Sequence, residues 1–117
     1  MSRDYSVYLE DVRDAIDRIR RYTDGLSREQ FENDERTVDA VVRNLEIIGE
    51  AVKQIPESIR TAYPDIEWKK IAGLRDILAH QYFRIDMDIV RDILTNKLPQ
   101  LYEQVNLILS VNTTHQT

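Results

Sequence analysis

The amino-acid sequence predicts an all-α protein, a bundle of four to five helices. Three observations predict it. Apolar residues recur at i, i+3, i+4 along each long stretch, the period of an amphipathic helix. Hydrophobic residues at 42% and charged residues at 32%, with only three Gly and three Pro, describe a helical globular protein rather than a disordered one. At 117 residues the chain suffices for one modest core, so residues 1–110 read as a single domain and residues 111–117 as a disordered polar tail.

The elements follow in order. Tyr5, Tyr8, Leu9, Val12, Ala15, Ile16, Ile19 and Tyr22 form one stripe, which predicts a first helix ending near Asp24-Gly25. Ser27 is placed to cap a short turn through Phe31, broken by Asn33-Asp34. Val38, Val41, Val42, Leu45, Ile48, Val52 and Ile55 predict a second long helix, stopped by Pro56, with Arg43, Asn44, Glu46 and Glu50 on its polar face. Gly49 inside it predicts the close approach of a neighbouring helix.

Residues 56–64 suit one or two helical turns, with Pro56 at an early helical position and Asp65 as cap of the next helix. That helix presents Trp68, Ile71, Arg75, Leu78, Ala79 and Tyr82 as its core-facing stripe. After Asp86, a plausible N-cap, Met87, Val90, Ile93, Leu94 and Leu98 open the last helix and Leu101, Val105, Ile108 and Leu109 continue it. Pro99 predicts a kink or break at 96–99, and fraying is expected from about Ser110.

Composition narrows the chemistry. Without cysteine there is no disulfide, no thiolate nucleophile and no zinc knuckle. The sequence holds no Gly-rich phosphate loop and no paired metal ligands, so neither cofactor nor metal is expected. No apolar run approaches the roughly 20 residues that cross a bilayer, and the N-terminus is too charged for a signal peptide. A cytoplasmic protein without membrane contact is the expectation.

Charge is unevenly spread. Residues 1–50 carry eight Arg and thirteen Asp or Glu, while the rest carries eight basic and eight acidic residues. Between Trp68 and Arg84, Lys69, Lys70, Arg75 and Arg84 stand against Asp76 alone. A focused basic patch suits nucleic acid, although Lys69 and Lys70 equally suit a solvated helix face.

The same segment holds His80, the one histidine outside the terminal tail. An arginine on a core-facing stripe must be paired or face a cavity, and Glu46 or Glu50 could pair with Arg75. Asp76 and His80 are i, i+4 neighbours, so the carboxylate could fix the imidazole tautomer. Arg75 and Tyr82 share a helix face, whereas Arg75 and His80, five apart, reach one groove only from its two edges or if the helix loosens near His80.

Arg75-Asp76-Ile77-Leu78-Ala79-His80-Gln81-Tyr82 resembles the Arg-x4-6-His signature of HEPN domains and the Arg-x4-His-x-Tyr form of HepT-like toxins. Trp68-Lys69-Lys70-Ile71-Ala72-Gly73-Leu74 and Arg43-Asn44-Leu45-Glu46-Ile47-Ile48-Gly49-Glu50-Ala51 resemble the family as well. The resemblance implies a homodimeric, metal-independent endoribonuclease, the toxin of a toxin–antitoxin pair. Arg75 and His80 are then catalytic, Asp76 supports them, and Lys69, Lys70 and Arg84 are available to RNA. The resemblance further implies an MntA-like minimal nucleotidyltransferase as antitoxin, which silences the toxin by transferring AMP to Tyr82. Two other classes stay open: a catalytically silent HEPN module that binds nucleotide or RNA, and a helical protein built to assemble with a partner chain.

Overall fold

The computed structural model describes residues 3–79 and 87–115. Among these residues every regular element is helical. Helix α1, Arg3–Thr23, buries Leu9, Val12, Ala15, Ile16 and Ile19 along the expected stripe. Tyr22, at the far end of that stripe, is instead 39% exposed. Just past the helix, Gly25 takes a φ of 78°, the left-handed conformation that glycine alone adopts without strain, and the chain turns back.

Ser27 begins helix α2, Arg28–Asn33, with a capping box. The Gln30 N–H donates to Ser27 Oγ at 3.1 Å and the Ser27 N–H donates to Gln30 Oε1 at 2.9 Å. Asp34 ends α2 and caps α3, Glu35–Lys53, by accepting from the Thr37 N–H at 3.2 Å. Pro56 stands at the N-cap of α4, Glu57–Ala62, one place before the helical position the sequence suggests. From α4, Arg60 donates back to the loop carbonyl of Ile55 at 2.9 Å and to that of Lys53 at 3.3 Å, the latter an acceptor that the end of α3 leaves orphaned.

The expected single helix across Trp68–Tyr82 is divided at Gly73. Helix α5 is Trp68–Ala72 and α6 is Leu74–Ala79. Gly73 sits at φ −84°, ψ 0°, in the bridge region, where its N–H bonds to the carbonyls of Lys69 and Lys70. A methyl group there would meet only ordinary contacts at 3.5 Å, so the break reflects weak helix propensity rather than crowding. Nor does Asp65 cap α5. Glu67 occupies the N-cap without a capping bond, and the entry is fixed by the Trp68 indole N–H donating to the Tyr63 carbonyl at 2.9 Å.

Helix α7, Met87–Asp92, does not break before Pro99 but runs through a π-helical turn, Ile93–Lys97, into α8, Leu98–His115. The Leu98 N–H reaches back five residues to the Ile93 carbonyl. A wider turn relieves the clash between a proline ring and the carbonyl four places earlier, which a regular helix cannot avoid. It also reconciles the burial pattern. Val90, Ile93, Leu98, Leu101, Val105 and Ile108 are all buried, and the five-residue step from Ile93 to Leu98 returns to the same face only if the turn is widened. Helical backbone continues past Ser110, where the sequence places the start of the tail.

The layers follow from these faces. Helix α3 packs on α1 along one side and on α5 and α6 along the other, while α8 packs on α1. Leu9, Ile16, Leu45, Ile48, Leu101 and Ile108 are fully buried at the centre, each worth about 1.5–3 kcal/mol of transfer from water. Polar links also join distant elements. Arg20 stacks over the Tyr102 ring at 4.1 Å, and Arg91 binds Glu32 at 3.2 Å and Asp88 at 2.9 Å, tying α7 to α2.

Candidate functional site

Helix α6 carries the start of the motif, Arg75 to Ala79, and its anchors are Leu74 and Leu78, four residues apart on one face and both buried. Leu74, which the sequence stripe leaves out, is buried. Arg75 itself lies on the α6 backbone, and its side chain is outside the described residues. His80, Tyr82 and Arg84 are also outside them, and so are the expected Asp76–His80 contact and the Asp86 cap. Asp76 is exposed on α6, and Lys69 and Lys70 are exposed on α5 immediately before it.

Lys70 is not a free cation. It shares the carboxylate of Glu67 with Lys97: Lys70 Nζ lies 3.0 Å from Glu67 Oε2, and Lys97 Nζ lies 2.7 Å from Glu67 Oε1. The two lysines belong to different elements, α5 and the π turn, brought together across the end of the bundle. Hydrogen bonds from Lys97 and then Lys70 hold the Glu67 carboxyl down to about 2, and the same pairing raises the Lys97 ammonium. Beside this cluster, a groove of about 380 Å³ separates α5 and α6 from α7 and α8, floored by Ile71, Leu74, Ile93, Leu98 and Leu101.

The sign of the Glu67 shift fixes its pH dependence. A carboxyl depressed in the folded state contributes stability above its ordinary value of 4.5 and loses it as pH falls toward about 2. Glu67→Gln is therefore expected to melt below the wild type at pH 6, with the difference vanishing near pH 2. Melting temperatures from circular dichroism across that range check it, and a constant difference at every pH would contradict it.

On the other side of α3, the polar residues split into two environments. Glu46 and Glu50 line a shallow groove with Tyr8, Asp11 and Arg43 between α1 and α3, and Glu50 pairs with Lys53 at 3.1 Å. Asn44, which the sequence places on the polar face, is only 5% exposed. Its Oδ1 accepts from Arg18 Nε at 2.7 Å and its Nδ2 donates to the Ala40 carbonyl at 2.8 Å, so both ends of the amide are used. This cross-helix pair fixes the sliding register of α1 on α3.

Sequence reasoning missed Glu67, Lys97 and Arg18. The Glu67–Lys70 pair was legible as an i, i+3 neighbour, but Lys97 lies thirty residues further along and carries no local signal. Among the described residues no group of three His, Cys, Asp or Glu could hold a metal ion, and no helix is long and apolar enough to cross a membrane.

Comparison with known proteins adds independent information. A family model described as Ribonuclease HepT-like matches residues 12–108. A candidate RNase of Methanocaldococcus jannaschii is 42% identical over 101 residues, which cover 86% of this chain and 80% of that protein. A protein named probable ribonuclease HepT, from Thermococcus cleftensis, is 40% identical over 101 residues, 86% of this chain and 92% of its own length. A candidate RNase of Caldanaerobacter subterraneus is 39% identical over 102 residues, 87% of this chain and 91% of that one. No solved structure matches.

Proposed function

Because this chain belongs to the Ribonuclease HepT-like family, we propose that it is a metal-independent endoribonuclease acting as a homodimer, the toxin of a toxin–antitoxin pair. The observation that carries the reading is the match over residues 12–108, which spans the Arg75–Tyr82 motif and relates the chain to proteins named as ribonucleases. RNA is the substrate class that follows.

The chemistry available to these residue types supports it. Cleaving RNA through its own 2′-hydroxyl requires a base for that hydroxyl, an acid for the departing 5′-oxygen and positive charge for the crowded phosphorane. One chain supplies one histidine in the motif. Two chains related by a two-fold axis that opposes their α6 helices supply two imidazoles and two guanidiniums in one cleft. Arg75 serves the phosphate because its planar fork donates bidentately, and Asp76, four residues before His80 in the sequence, is the carboxylate assigned to orient it.

Silencing follows the same logic. Attaching AMP to Tyr82, as an MntA-like nucleotidyltransferase antitoxin does in this reading, places bulk and negative charge beside the residues that must receive an RNA phosphate. The purified protein is expected to cleave single-stranded RNA in excess EDTA. After co-expression with its nucleotidyltransferase it should gain the mass of one or more AMP groups on Tyr82 and lose cleavage. Cleavage that stops on chelation, or adducts mapped to any other residue by peptide mass spectrometry, would defeat the corresponding half of the proposal.

A further inference from the structure

The Lys70–Glu67–Lys97 cluster sits one turn ahead of the motif helix, yet Glu67 opposes what a polyanion-binding surface needs. We propose that Glu67 is an internal restraint on nucleic-acid binding, and that Lys97 is a further phosphate-binding residue which this carboxylate keeps engaged.

Three observations carry the inference. First, Glu67 occupies the N-cap of α5 but makes no capping bond there. Its two oxygens go to the two ammonium groups, at 3.0 and 2.7 Å. A side chain at this position ordinarily accepts from the exposed backbone N–H groups, so the cap is given up for the lysines. Second, both cations remain within reach of solvent. The Lys70 side chain is 76% exposed and that of Lys97 39% exposed, so a phosphate can approach them without unfolding anything. Third, Lys69 is exposed beside them on α5, and these three lysines with one carboxylate lead directly to Leu74 and Arg75.

The consequence is electrostatic. A phosphate that reaches Lys70 or Lys97 must displace the carboxylate or sit against it, and like charges at contact distance repel. With Glu67 neutral, both ammonium groups become available, and each new lysine–phosphate contact steepens the salt dependence of single-strand binding by about 0.7. That corresponds to about fivefold tighter binding per contact at 0.1 M salt. A carboxylate in this position holds affinity down and makes binding depend on contacts that can compete with it, those at the motif among them. The identity of the polyanion as RNA rests on the function proposed above, whereas the restraint itself does not.

Heparin chromatography of the full chain tests the restraint without relying on nuclease activity. Glu67→Gln is expected to elute at distinctly higher salt than the wild type, and Glu67→Gln with Lys97→Gln is expected to return toward it. Glu103→Gln, an equal change of charge at an exposed position on α8, is expected to move elution much less. Glu67→Asp keeps the charge on a side chain too short to span both lysines, so it releases one ammonium group and is expected to elute between the wild type and Glu67→Gln, and circular dichroism checks that each variant is folded. An unshifted Glu67→Gln, an equal shift in Glu103→Gln, or no reversal by Lys97→Gln overturns the proposal. RNA binding by fluorescence anisotropy, in a His80→Ala background that preserves the RNA, should give the same order. A heparin shift without any RNA cleavage in EDTA leaves the restraint standing and removes the nuclease; cleavage with no shift removes the restraint.

Discussion

Replacing His80 with alanine is expected to lower RNA cleavage by about 10²–10⁴-fold, the range that a positioned general acid or base contributes. The effect should be this large because the composite cleft proposed above would hold no substitute. In that proposal two copies of the chain supply two motif histidines, one for each proton transfer, and the variant would lose both at once. Arg75→Ala should reduce turnover by a comparable factor, since it removes charge that matters most when the phosphorane forms. The two variants differ in a second measurement. Arg75→Ala should also weaken RNA binding and flatten its salt dependence, whereas His80→Ala should bind nearly as well as the wild type. Single-turnover cleavage assays with anisotropy titrations distinguish these outcomes, and undiminished cleavage by either variant would exclude that residue from the mechanism.

Leu45→Ala is expected to cost about 2–5 kcal/mol of folding stability. Leu45 is fully buried in α3, the helix that meets α1 on one side and α5 and α6 on the other. Truncation there opens a cavity that several packed elements cannot all collapse around. Domains of this size are stable by about 5–15 kcal/mol, so one substitution consumes a large share of the total. Urea denaturation followed by circular dichroism checks this as a lower midpoint with an unchanged slope. A loss under 1 kcal/mol would mean that α3 is not the central packing element.

Much of the fold was legible because local rules and burial agree. The stripe from Leu9 to Ile19, the Ser27 cap and the break at Asn33-Asp34 require only near neighbours. The failures come where distant residues decide. Asn44 looks like a surface residue until Arg18, twenty-six positions away, supplies its partner. Trp68–Tyr82 reads as one helix because periodicity cannot register a bridge-region residue at Gly73, and Leu74, which the stripe leaves out, is buried just past it. Of the site, Lys69, Lys70 and Asp76 are exposed on α5 and α6. The Glu67–Lys97 pair does not follow from sequence, because no spacing rule links a helix entrance to a π turn thirty residues later.

That π turn has a consequence for how the chain tolerates change in length. Between Ile93 and Leu98 the rod holds one residue more than an unbroken α-helix would need to keep those two side chains on a common face. A relative lacking one residue there could run as an ordinary helix with the same core, while an insertion anywhere else along Met87–His115 would rotate everything downstream away from α1. The bulge is thus the point along this rod where a one-residue deletion costs least, and alignments of related chains should place their gaps there.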